Sequence, residues 1–158
     1  MDTTPRECLL NWRQDIIAEA RTWKGTPFHH KARVKGVGVD CGGFIYEVFK
    51  HVIGIPHESF PAYYAEDWAL HRDNEIYLAF MQPYVIRVSR PQVADITMWK
   101  FGRNFSHGTI YMGNGQYIHS YGRTAHGCVL ISPQTMFSIG NGGKKRECRH
   151  FTLDPKCL

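Results

Sequence analysis

The stretch "HGTIYMGNGQYIHSY", residues 107–121, decides how this chain is built. Two β-branched and aromatic runs flank Gly-Asn-Gly, the pattern of an antiparallel hairpin. Taking Gly113, Asn114 and Gly115 as a three-residue loop, with Gly115 in the left-handed position, puts Met112 opposite Gln116 and Thr109 opposite His119. His107, two residues from Thr109, then shares a face with His119, and the two imidazoles become diagonal neighbours. A two-residue loop would slip the register by one and send them to opposite faces. The odd loop is expected to hold both rings on the face packed against the helical layer.

Outward from the hairpin, "YVIRVS" (84–89), "DITMWKF" (95–101), "CVLIS" (128–132) and "CRHFTL" (148–153) read as further short strands, with a helical turn at 133–139. Helices dominate the first half. Residues 4–23 repeat Leu9, Trp12, Ile16, Ile17, Ala20 and Trp23 at helical spacing. Thr4, Pro5 and Glu7 compose a capping box, and Gly25 is the stop. "TPFHHKARVKGVGV" (26–39) follows as a loop or extended stretch. A second helix is predicted over Cys41–Ile53, with Asp40 as N-cap, the stripe Phe44, Ile45, Val48, Phe49, Val52, and a stop at Gly54 and Pro56. A third is expected at about Arg72–Met81, after "IPHESFPAYYAEDW" (55–68). Helices first and an antiparallel meander second predict an α+β fold in a single domain, residues 1–158.

The composition sets the class. With 158 residues, 43% apolar and 13% aromatic, the chain can bury a packed core. No apolar run approaches the roughly 20 residues of a membrane helix. Charge in "MDTTPRECLLNWRQD" stands where a signal peptide would be apolar, so synthesis in the cytoplasm without such a signal is expected. The net charge of +5 points to an anionic partner, nucleic acid or an acidic wall polymer, and "GGKKRECR" (142–149) is the one dense basic cluster. Cys8, Cys41, Cys128, Cys148 and Cys157 form no CxxC pair and are odd in number, so most are expected to be reduced.

Cys41 differs from the others by position. It starts the second helix, where unpaired N–H groups and the dipole lower a thiol's pKa, beside Gly42 and Gly43, which let a substrate approach closely. A depressed pKa predicts that Cys41 is alkylated ahead of the other cysteines. With His107 as base and His119 as its orienter, the three residues follow nucleophile, base and orienter logic. A buried structural cysteine and two histidines of ordinary surface or metal-binding role are the competing explanations.

"GTPF" (25–28), "GVGVDCGGFIYEVF" (36–49), "VADITMWKF" (93–101) and "SHGTIYMGNGQYIHSY" (106–121) together resemble the NlpC/P60 family of papain-like cysteine peptidases. The blocks match its G-T-P-Y, D-C-S-G-F, P-G-D-L, S-H-V-G-I-Y-x-G-N-G and I-H-A signatures in order, over about residues 24–121, and the form looks closest to the phage and gene-transfer-agent branch. The resemblance implies an antiparallel sheet packed on the helix that carries the nucleophile, and hydrolysis of amide bonds in peptidoglycan stem peptides, often γ-D-glutamyl to a diamino acid. Residue by residue it puts the nucleophile at Cys41, the base at His107 and the orienting group at His119. No cofactor and no metal are expected: nine histidines make zinc an alternative, but none of the usual ligand spacings appears. The partners the resemblance suggests are the stem peptide and phage-tail or secretion-machine proteins, not nucleic acid, with action at the cell wall or periplasm. Two positions depart from the pattern: Phe28 replaces a tyrosine credited with oxyanion help, leaving backbone N–H groups, His29 or His30, and Gly42 replaces a serine. An amidase or acyltransferase of the same fold, and a silent structural tail-hub protein, are the alternatives.

Overall fold

A computed structural model describes residues 5–56, 64–65, 73–123 and 125–158, with backbone only for 5–10. The proposed capping residue Thr4, Arg72 and most of 55–68 lie outside this description, as do the side chains of Glu7 and Cys8. Helix α1, Pro5–Thr22, buries Trp12, Ile16 and Ala20 as its periodicity requires, and Trp23 is buried just beyond it. Gly25, at φ 85°, turns the chain out. Arg13 ties α1 to the sheet. Its Nη1 donates to Asp95 Oδ1 and Val93 O, both at 2.6 Å, and its Nη2 to Thr152 Oγ1 at 2.8 Å.

A small ladder, β1 (Arg33–Val34) with β2 (Gly38–Val39), leads into α2, Cys41–Ile53. Asp40 is the N-cap, its Oδ1 accepting from Gly43 N at 2.7 Å, and Gly54 closes the helix in the left-handed region at φ 76°. The third helix, α3, spans Ile76–Met81.

The sheet has six antiparallel strands: β3 (Val85–Val88), β4 (Ile96–Phe101), β5 (Asn104–Gly113), β6 (Gln116–Tyr121), β7 (Cys128–Pro133) and β8 (Cys148–Leu153). Its order, β3-β8-β4-β5-β6-β7, is not a simple meander. The last strand returns to fill a slot between β3 and β4, pairing Leu153 with Val85 and Phe151 with Ile96. Period-2 alternation marks a strand and does not say which strand lies beside it, so this insertion is a finding of the structure.

The register of β5 on β4 separates two cores. Ile96, Met98, Ile110 and Ile118 join the main cluster with Phe44, Ile45, Val48 and Phe49 of α2. On the opposite face Trp99 and Tyr117 pack with Phe137, from the single-turn helix α4 (Thr135–Ser138), in a smaller aromatic cluster. Gly108 lies on the α2 face, because a Cβ there would stand 2.4 Å from Ile45 Cδ1.

Candidate active site

The hairpin delivers the two histidines together, by a different route from the one its sequence suggests. Gly113, not Met112, pairs with Gln116, so the loop is the two residues Asn114 and Gly115. Both have positive φ, 52° and 70°, as the tight Asn-Gly turn requires. A bulge between Tyr111 and Gly113 adds the missing residue, and below it Tyr111 pairs with Tyr117 and Ile110 with Ile118. The even loop and the bulge compensate, so the parity of the odd loop survives.

His107 and His119 therefore share a face, and His107 Nε2 lies 3.0 Å from His119 Nδ1. That face is not the one packed on α2, which corrects the expectation. Phe137 stacks on His107 at 5.5 Å between centroids and meets His119 edge-on at 4.6 Å. Phe101 and Tyr121 close around the His107 ring at 5.1 and 5.5 Å. His119 is fully buried and passes the chain on: its Nε2 lies 3.0 Å from Ser132 Oγ on β7, itself buried.

Cys41 meets the backbone of the sheet, and ladder pairing between β5 and β6 ends at Ile110–Ile118. Ser120 Oγ donates to Val39 O at 2.7 Å, and Cys41 Sγ donates to Ser106 O at 3.5 Å. The N–H of Gly108 also points at the sulfur, so the thiol is held by backbone on both sides of His107. Its hydrogen bond goes to a carbonyl and not to an imidazole.

The electrostatics differ from those of a bare helix start. Burial, then the neighbouring Asp40 carboxylate, push the Cys41 thiol up to about 12, against the N–H groups of Gly108 and Gly42 and the hydroxyl of Tyr77, which favour the thiolate. The capping carboxylate and desolvation outweigh the dipole, so preferential alkylation of the resting protein is not expected. Burial pushes His107 well below the usual histidine range, helped by His119, Arg146 and Arg123, and pushes His119 down to about 3. Near neutral pH the thiol and both imidazoles are uncharged.

Three further residues escaped the sequence. Tyr77 of α3 lies against Gly42: a Cβ at position 42 would meet its ring carbons at 2.7 Å and its hydroxyl at 3.0 Å. The missing side chain at 42 is therefore room for a phenol. Tyr64 donates to Asp40 Oδ2 at 2.5 Å, and its ring meets Tyr77 edge-on at 5.6 Å. Ser132 is the third, and a lone serine in a strand gives no signal until the strands are paired. His30 faces Asp40 and Tyr64, with Nδ1 3.7 Å from Asp40 Oδ2, and His29 packs on Gly38. Phe28 covers Gly122.

The NlpC/P60 family profile matches residues 25–136. The chain belongs to the NlpC/P60 family. Among solved structures, the NlpC/p60 domain of the peptidoglycan hydrolase SagA matches with a TM-score of 0.57 at 22% identity, covering 87% of this chain and 96% of that one. The P60 domain of a M. avium paratuberculosis antigen matches at 0.57 and 15%, covering 94% and 97%. RipD of Mycobacterium tuberculosis, described as a non-catalytic NlpC/p60 protein adapted to peptidoglycan binding, matches at 0.54 and 16%, covering 89% and 96%. At these identities the likeness establishes an NlpC/P60 fold. Curated proteins gave no match.

Proposed function

We propose that this protein is a cysteine endopeptidase that hydrolyses an amide bond of peptidoglycan stem peptides, with Cys41 as nucleophile, His107 as general base and His119 as the group that orients it. The observation that carries the reading is the imidazole pair, His107 Nε2 to His119 Nδ1 at 3.0 Å, with His107 on the strand whose backbone holds the Cys41 sulfur. The bond proposed is that between γ-D-glutamyl and a diamino acid. The setting proposed is the wall or periplasm, reached from a phage-type tail or a secretion machine.

The shifted acidities define the chemistry. A thiol held up to about 12 beside a neutral imidazole is no preformed ion pair, so proton transfer accompanies attack. His107 Nε2 is engaged by His119, which leaves Nδ1 to receive the sulfur's proton. Sulfur then bonds to the carbonyl carbon, the carbonyl π pair moves to oxygen, and collapse expels the amine, which takes the proton back from His107. Water, deprotonated by the same ring, hydrolyses the thioester and frees the thiol. The charged His107 needs His119 Nδ1 as acceptor. His119 must therefore carry its proton on Nε2, donated to Ser132 Oγ. Ser132 Oγ, as acceptor, supports that tautomer.

A second reading, a wall-binding protein without hydrolysis, is favoured by the bond from Sγ to the Ser106 carbonyl instead of to a ring nitrogen. Incubation with purified peptidoglycan separates the two. Release of stem-peptide fragments, identified by mass spectrometry and lost in Cys41→Ala, supports the peptidase. Retention on sacculi with no fragments from either protein supports the binder.

A further inference from the structure

The basic cluster at 142–149 takes no part in the scheme above, yet one of its residues turns back to the catalytic face. Arg146 places its guanidinium 3.8 Å above the centroid of Phe101, and Arg123, from the loop after β6, stands 5.9 Å from the same ring. That ring lies edge-on to His107 at 5.1 Å. Two cations therefore converge on one aromatic plate that touches the base.

Neither guanidinium has a carboxylate partner among the described residues, whereas the neighbouring Lys100 and Arg149 both pair with Glu147. Arg146 is anchored: its Nη1 donates to Phe137 O at 2.6 Å, and its backbone N–H to Ser138 O at 2.7 Å. Arg123 is exposed. Burial lowers the affinity of Arg146 for its proton, and the Arg123 charge adds a smaller push in the same direction, against Tyr121. Two like charges against one ring are an unfavourable arrangement for the free protein, and an anion bound by both relieves it.

We propose that Arg123 and Arg146 form a carboxylate subsite, which receives a free carboxylate of the substrate close to the scissile amide. The proposal rests on the peptidase reading and adds its specificity. An arginine fork suits a planar carboxylate, and Phe101 holds the two forks over one ring while excluding water beneath them. Burial and His119 keep the His107 imidazole neutral in the free protein, and the two arginine charges add to that. A bound carboxylate would cancel part of that repulsion and raise the basicity of His107 as the substrate docks. Substrate charge would in this way tune the base as well as place the peptide.

The test compares two synthetic stem tetrapeptides, one with the α-carboxylate of D-glutamate free and one with it amidated. Wild-type kcat/KM should favour the acid by about 10-fold to 100-fold, the worth of hydrogen bonds to a charged group. Arg123→Gln, at an exposed side chain with no contact to either histidine, should shrink that ratio, and Arg123→Gln with Arg146→Gln should bring it near unity. Equal losses on both peptides would mean that Arg146 merely supports Phe137, and would overturn the subsite. So would a wild-type enzyme indifferent to amidation. Binding of both peptides to Cys41→Ala, by calorimetry, keeps the proposal separate from the peptidase reading. Preference for the acid without turnover of either peptide in wild type leaves the subsite standing and removes hydrolysis. No preference in binding or turnover removes the subsite alone.

Discussion

The two faces of the central sheet are built from the same strands and obey different rules. Toward α2 the side chains are Ile96, Met98, Ile110 and Ile118, apolar and interlocked with Phe44, Ile45 and Val48. Away from α2 the same strands present Thr97, Thr109, His107 and His119 among Trp99, Tyr117 and Phe137. Both faces are buried, but only the second fills its interior with groups that need partners. There the polar groups are chained to one another: Trp99 Nε1 donates to Thr109 Oγ1 at 3.1 Å, and Thr109 Oγ1 donates to Thr97 O at 3.0 Å. One face is closed by packing and the other by hydrogen bonds. Substitutions on the first should move stability, and on the second, activity.

The largest expected effects are on the polar face. His107→Ala should lower kcat by about 10²–10⁴-fold, the usual contribution of a general base, with the folded spectrum retained. His119→Ala should cost less, because water can take the orienter's place, and Ser132→Ala less again, since it acts only on the tautomer of His119. Steady-state kinetics on one stem peptide orders the three, and an inverted order would contradict the relay. Ser132→Thr, which keeps the hydroxyl, should recover what Ser132→Ala loses.

On the apolar face the sensitive point is Gly108. A Cβ there would stand 2.4 Å from Ile45 Cδ1 and 3.1 Å from Met98 Sδ. Gly108→Ala should therefore destabilise by about 1–3 kcal/mol through overpacking. Ile45→Val removes the clashing methyl and should recover most of that loss in the double variant, a coupling readable in denaturant titrations. Additive losses would show that strand bending, not this contact, carries the cost.

Acid separates the faces too. His119 is pushed down to about 3 and His107 also downward, both by burial, while the unfolded chain titrates near 6.5. Between these values the unfolded state binds protons that the folded state refuses. Stability is therefore full above about pH 6.5 and falls as the pH drops toward 3. Urea midpoints at pH 7 and pH 4.5 should differ in the wild type and differ less in His119→Asn. Equal differences would place the acid sensitivity elsewhere.

How far the sequence reached follows the same division. Local rules found α2 from Asp40 to Gly54, and every strand of the sheet, because capping and alternation are written in neighbouring residues. The pairing of the histidines was legible through parity, although a bulge at Met112 and a two-residue turn achieve it. What was hidden is non-local. The return of β8 between β3 and β4, the face on which the histidines lie, and the arrival of Ser132 behind His119 all depend on which strands are neighbours. The acidity of Cys41 failed for a related reason: the capping carboxylate that starts the helix also sits against the thiol, and a sequence shows the cap without showing the burial.

The smallest effect predicted is the most specific, and it concerns the start of α2. Tyr77 enters from α3 because residue 42 has no side chain, and its hydroxyl favours the Cys41 thiolate against burial and Asp40. Tyr77→Phe keeps the ring that fills the space and removes only the donor, a change worth about 1 kcal/mol for one hydrogen bond. By the equivalence of about 1.36 kcal/mol per pH unit, the thiol's acidity should move upward by a little less than one unit. The measurement is the rate of iodoacetamide alkylation of Cys41 against pH, with the other cysteines resolved by mass spectrometry. Gly42→Ala should act through the same contact but with a different signature, since a methyl group displaces the whole ring. It should alter the alkylation profile and lower thermal stability together, whereas Tyr77→Phe alters the profile with stability nearly unchanged. If Tyr77→Phe leaves the profile where it was, the phenol only packs against Gly42 and the thiol is governed by α2 and β5 alone.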